Sequence, residues 1–210
     1  MSLKTTWGYT ITDADALVPM LTAEEFNALT ANKYAGDTRI PGNINAACDA
    51  IRNYCGWHVY PAQACLFSDR FVNSNGKVKR VGPDILIQLP AAFVVSVSSV
   101  TIGETPWTDF AIEENGLLRL FDVPRETVGR KTVFSVTYSA GLASGNMDGL
   151  KELIAHRVTH ALVSSAGIQS ETAGGVSVTY SANWINSARA TALADDNKEV
   201  LAPFRVRGVY

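Results

Sequence analysis

Asp109-Phe-Ala-Ile-Glu-Glu-Asn-Gly-Leu-Leu-Arg-Leu-Phe121 sets two β-rich runs on either side of Asn115-Gly116. An Asn-Gly pair supplies the positive φ angles that a tight hairpin turn requires, so the run ending at Ile112 and the run beginning at Leu117 should pair antiparallel. Runs of the same kind lie to both sides: CLFSDRFV from Cys65, DILIQLP from Asp84, FVVSVSSVTI from Phe93 and TVFSVTY from Thr132. Turn residues separate them. The region from Ala62 to Gly141 therefore reads as antiparallel β, with four to six strands expected.

Outside this region the apolar period becomes helical. Thr22-Ala-Glu-Glu25 has capping-box spacing, and Leu21 and Phe26 sit where a hydrophobic staple would close a short helix. Residues Thr30 to Pro41 read as a connecting loop. A longer helix is expected from about Asn43, its N-cap, to Cys55, with Ile44, Ala47, Cys48, Ile51 and Cys55 on one face and Gly56 as its stop. Another should run from about Asp148 to Ala166, burying Leu150, Leu153, Ile154, Val158, Ala161 and Leu162, with Gly167 as its stop. A Gly-Ser-Thr stretch follows, around a short strand from Val176 to Tyr180. The last helix, within INSARATALADDNKEVLA, offers only Ala188, Ala192 and Leu193 as a thin apolar face, and Pro203 ends it. The fold class expected is α+β: a small helical core of two main helices and a short N-terminal one, a central antiparallel β region, and an extended C-terminal helix and arm. Its segments are 1–61, 62–141, 142–185 and 186–210.

The bulk chemistry narrows function by exclusion. Of 210 residues, 47% are hydrophobic and 18% charged, the balance of a folded chain and not a disordered one. The formal net charge of −2 lacks the basic excess by which proteins grip nucleic-acid phosphates, so double-stranded DNA is expected as a neighbour at most. The opening residues hold no apolar stretch of the kind a secretory signal needs, and no run of apolar residues is long enough to span a bilayer. Cys48, Cys55 and Cys65 make an odd number with no CxxC, and read as buried, reduced thiols.

Chemical motifs come close without completing. His156-Arg-Val-Thr-His160 has the i, i+4 spacing by which helices hold zinc, and a zinc-dependent hydrolase using His156 and His160 is one alternative. Arg157 stands where that chemistry needs a glutamate base, so a polar stripe on a half-exposed helix is the plainer reading, even with Glu152 one turn earlier. His58, beside Trp57, reads as a packing or capping residue. Gly141-Leu-Ala-Ser-Gly145 places its serine one position too late for a nucleophile elbow. Gly174-Gly175 is followed by no GK[ST], and no GxGxxG exists. The acidic pairs Glu113-Glu114 and Asp195-Asp196 are adjacent residues whose side chains point apart. No catalytic, cofactor or metal residue is expected, and no enzyme.

The order of these pieces resembles the head-to-tail connector (adaptor, or head-completion) proteins of long-tailed bacteriophages. Three short motifs carry the likeness. In that family the first core helix ends in a Tyr-Cys-Gly-Trp-like run, here Tyr54-Cys55-Gly56-Trp57. A Val-Ser-Val-Thr-Tyr-like strand follows the second core helix, here Val176 to Tyr180. A Pro-aromatic-Arg step lies in the tail, here Pro203-Phe204-Arg205. The chain departs from the family's compact helical members in its large β region, roughly residues 62–141, part of which the resemblance would put on the outside of a ring.

The resemblance implies a structural virion protein made in the bacterial host cytoplasm. Such proteins form a ring, usually of twelve copies, under the portal protein; the ring extends the DNA channel and offers a surface to the tail or a stopper or tail-terminator protein. Mild acidity suits a channel through which DNA slides. The C-terminal segment, with its thin apolar face, should leave the domain and dock on the portal through Pro203, Phe204, Arg205, Val206, Arg207 and Tyr210, since aromatics and arginines dominate interface energetics. A β-rich binding or adhesion module of a virion is the other alternative; it accounts for the strands but not for the flanking helices.

Overall fold

The structure is a computed structural model that describes residues 2–71, 77–129, 131–164, 170–173, 176–179 and 195–206. The fold is α+β, and its contacts group into two compact units. One comprises Met1–Val18, Cys55–Ser144 and Ala202–Tyr210; the other comprises Pro19–Tyr54 and Gly145–Leu201.

The first unit holds two antiparallel sheets among its described residues. The larger has six strands in the order β1 (Leu3–Lys4), β2 (Thr10–Ile11), β3 (Gln63–Arg70), β10 (Val133–Ala140), β6 (Val94–Ile102) and β7 (Thr105–Pro106). The smaller orders β4 (Val78–Val81), β5 (Asp84–Gln88), β9 (Leu117–Leu120) and β8 (Phe110–Glu113). Alternation along β10 explains the larger sheet's core: Phe134, Val136, Tyr138 and Ala140 are buried, and the residues between them face outward. Ile85, Leu86 and Ile87 are buried in succession, so β5 is covered on both faces.

The hairpin at Asn115-Gly116 forms as its sequence requires. Asn115 and Gly116 have φ of 58° and 73°, Glu113 pairs with Leu117, and the Leu117 N–H donates to the Glu114 carbonyl. Any side chain at Gly116 would also overlap the Ala91 carbonyl.

Strand content is greater than expected. Among the described residues of 62–141 there are eight strands, β3 to β10, in two sheets where four to six were expected, because β4 and β7 are too short and polar to stand out as runs. The first 18 residues are not part of a helical segment 1–61. Thr10 and Ile11 pair with Leu66 and Cys65, which places the N-terminus on the β sheet.

The second unit is built from helices. The capping box on α1 (Ala23–Leu29) is closed in both directions: the Glu25 N–H donates to Thr22 Oγ1 at 3.2 Å, and the Thr22 N–H donates to Glu25 Oε2 at 2.8 Å. Leu21 and Phe26 are fully buried beside it. Helix α2 runs Ile40–Cys55, three residues earlier than expected. Pro41 falls in its first turn, where a missing N–H costs nothing, and the Asp37 carboxylate accepts from the Arg39 N–H at 2.9 Å just before it. Asn43 is therefore inside the helix and not its N-cap; its N–H donates to the Arg39 carbonyl. Ile44, Ala47, Cys48 and Ile51 are buried as one stripe. Helix α3 covers Asp148–Ser164, buries Leu150, Leu153, Ile154, Val158 and Leu162, and leaves Ala161 half-buried. Lys151 donates from α3 to Glu25 on α1 at 2.6 Å, which is the chief reason the Glu25 carboxyl titrates below its usual range. Gly167, the expected stop of α3, lies outside the described residues.

A hairpin of β11 (Ser170–Ala173) and β12 (Val176–Thr179) follows, where a single strand was expected. Tyr180, the last residue of that expected strand, lies outside the described residues. Helix α4 (Asp195–Leu201) ends the unit. Ala188, Ala192 and Leu193 also lie outside the described residues. No helix among the described residues is long and apolar enough to cross a membrane.

Candidate docking site

The residues assigned to docking follow α4 and return to the end of α2. Helix α2 stops at Cys55 because Gly56 takes a φ of 80°, a left-handed position open to glycine. The chain then presents Trp57, fully buried, whose indole N–H needs an acceptor once out of water. That acceptor is the Phe204 carbonyl, 2.6 Å from Trp57 Nε1. Two residues on, the Val206 N–H donates to the Cys55 carbonyl at 3.1 Å, satisfying an acceptor that the helix end leaves open.

Aromatic packing fills the same place. The Trp57 and Phe93 rings stack with centroids 6.1 Å apart, and the Phe204 ring lies 5.7 Å from Phe93. Behind Trp57, His58 is fully buried and holds three segments together. Its Nε2 lies 2.8 Å from the Ala140 carbonyl, so Nε2 carries the proton and Nδ1 accepts from the Tyr9 hydroxyl at 2.7 Å. That hydroxyl in turn accepts from the His58 N–H at 3.0 Å. The packing role expected of His58 is the one it has.

These contacts correct the expectation that the C-terminal segment leaves the domain from residue 186 onward. Over 202–206 it is part of the β-containing unit. Phe204 is half-buried, and the backbone of Phe204 and Val206 is held by Trp57 and Cys55. Pro203 and Arg205 are exposed. Arg207 and Tyr210 lie outside the described residues. The sequence gives no separate signal for the cradle residue Phe93, because it opens a β run whose hydrophobicity indicates only a strand. The signal for Trp57 was present: a tryptophan buried after a helix stop needs a partner for its N–H.

Cysteine chemistry in this area is suppressed. Burial pushes the Cys55 thiol up to about 12, against the opposing effect of the Arg205 charge. Burial likewise raises Cys65 to about 12 and moves Cys48 in the same direction. All three are reduced and buried.

His156 and His160 do come together, with Nε2 atoms 3.0 Å apart on α3. His156 is exposed and His160 half-buried. Burial, with help from the neighbouring His156, lowers the pKa of His160. Burial also lowers that of Arg157. Glu152 is exposed, and among the described residues no group of three or more histidine, cysteine or acidic side chains is placed to hold a metal ion.

The sequence matches no protein-family model and no curated protein.

Proposed function

We propose that this chain is a structural ring subunit of a tailed bacteriophage, the head-to-tail adaptor that sits under the portal, extends the DNA channel and offers the tail or a stopper protein its docking surface. One observation carries the reading. Two of the three motifs behind the resemblance, at the end of α2 and in the Pro203-Phe204-Arg205 step, lie 147 residues apart yet share a hydrogen bond from Trp57 to Phe204. Short motifs that recur by chance have no reason to meet.

The arm proposed to dock on the portal is accordingly rooted and not loose. Phe204 and Val206 fasten it to the domain, and Pro203 and Arg205 are exposed. Arg207 and Tyr210 complete the proposed contact. Binding energy is the product of such a protein, and the reading assigns it no catalytic step.

Deleting the gene from the phage genome that carries it tests the reading. The expected phenotype is heads that package DNA, leak it and fail to join tails. Normal infectious particles from the deletion strain would end the proposal.

A further inference from the structure

Helix α3 carries a pair of side chains to which the adaptor reading gives no task. His156 and His160 are four residues apart, so they stand one turn apart on the same face of the helix. Their Nε2 atoms meet at 3.0 Å, with ring centroids 4.3 Å apart and ring planes inclined by 70°. Two neutral imidazoles that meet through these nitrogens share one proton: one Nε2 donates it and the other offers its lone pair. Both nitrogens are therefore aimed at the space between the rings.

The separation selects the kind of ion that fits there. Two histidine nitrogens bound to one metal ion at about 2.0–2.1 Å stand about 2.9 Å apart at a right angle and about 3.3 Å apart at the tetrahedral angle. The observed 3.0 Å lies close to the right-angled value. Right angles between neighbouring ligands belong to square-planar and tetragonal ions, and imidazole in that geometry suits Cu²⁺ and Ni²⁺.

We propose that His156 and His160 form a two-point chelating site for a divalent transition-metal ion of tetragonal geometry, Cu²⁺ or Ni²⁺, with water in the remaining positions. On binding, both Nε2 lone pairs go to the metal, and the proton they shared passes to Nδ1 of the ring that held it, so both rings stay neutral. His156 is exposed and His160 half-buried, so the ion reaches the pair from solvent. Arg157 takes away hydrolysis and not binding. The missing base is needed only for attack by water, and a residue one position along a helix projects about 100° round from its neighbour, off the face the two rings share. Among the described residues no third histidine, cysteine or acidic side chain completes the set, which leaves the site open to water. Such a site is independent of the ring reading.

The test titrates the full chain, made without an affinity tag, with NiCl2 and separately with CuCl2 in a calorimeter. Each ion should bind at one equivalent, Cu²⁺ more tightly than Ni²⁺. Zn²⁺, which favours the wider tetrahedral angle, should bind less tightly than Ni²⁺. His156→Ala and His160→Ala should each lower Ni²⁺ affinity at least about tenfold, with circular dichroism unchanged, because losing either nitrogen turns a chelate into a single ligand. Copper-loaded wild type should give an axial electron paramagnetic resonance spectrum with nitrogen splitting that the double variant lacks. Metal uptake by the double variant equal to that of the wild type, single variants that bind as tightly as the wild type, or Zn²⁺ held more tightly than Ni²⁺ would each overturn the proposal. Ring assembly under a portal keeps its own test whatever the result.

Discussion

The indole N–H of Trp57 donates to the Phe204 carbonyl at 2.6 Å, so the turn that ends helix α2 is closed by the last part of the chain. The Val206 N–H to Cys55 carbonyl bond lies beside it. These two bonds and the Phe93–Phe204 ring contact are what convert a thin-faced tail into a rooted one.

Trp57→Phe removes the donor and leaves the Phe204 carbonyl without it. The cost should be about 1–3 kcal/mol, the range for a polar group stranded by loss of its partner. Urea unfolding of the variant against the wild type measures it. An unchanged midpoint would show that the tail's seat contributes nothing.

Two truncations separate the root of the arm from its tip. Removing residues 207–210 spares the Trp57 and Cys55 bonds and should leave stability within about 0.5 kcal/mol of the intact chain. Removing residues 203–210 also takes away the acceptor of Trp57, so a folded protein of lower melting temperature is expected. Both should fail to complete heads. If either truncated protein supported normal plaque formation, the docking role of the tail would be wrong.

Ile51 is fully buried on the apolar stripe of α2, and Ile51→Ala should cost about 2–5 kcal/mol. The thiols give a second check on the core. Cys55 and Cys65 are raised from 9.0 to about 12 because burial disfavours the thiolate. A group with a raised folded pKa contributes stability that is whole below its unfolded value and is lost as pH rises through the folded one. Stability should therefore decline between about pH 9 and pH 12, and Cys65→Ala should flatten part of that decline. Fast reaction of Cys48, Cys55 or Cys65 with a thiol reagent in the native protein at pH 8 would contradict their burial.

Local signals carried further in this chain than spacing over long distances did. The Thr22–Glu25 capping box and the Asn115-Gly116 turn are each decided within four residues, and both formed as read. The apolar stripes of α2 and α3 are likewise written at short range. The start of α2 falls before the expected Asn43 because Pro41, a residue typical of loops, occupies the first turn of the helix. The pairing of Thr10 and Ile11 with β3, and the meeting of Trp57 with Phe204, join residues about 50 or more positions apart, and no local period encodes them. The candidate site was legible as a set of residues at the C-terminus. Its cradle, above all Phe93, was not.

His156 and His160 face each other, but the pair lacks the base that zinc hydrolysis needs, and Arg157 stands in its place. Replacing both by alanine should leave head completion intact, with a change in stability of at most about 1 kcal/mol. Stoichiometric zinc in protein purified without added metal, together with loss of function in the double variant, would favour the hydrolase instead.

The most direct measurement is cryo-electron microscopy of virions from the phage that encodes the chain, focused on the portal vertex. The account predicts a ring of this protein between portal and tail, with residues 203–210 of each copy against the portal and the DNA channel continuing through its centre. Density for this chain at the tail tip or on a fibre, or virions that lack it altogether, would contradict the adaptor reading.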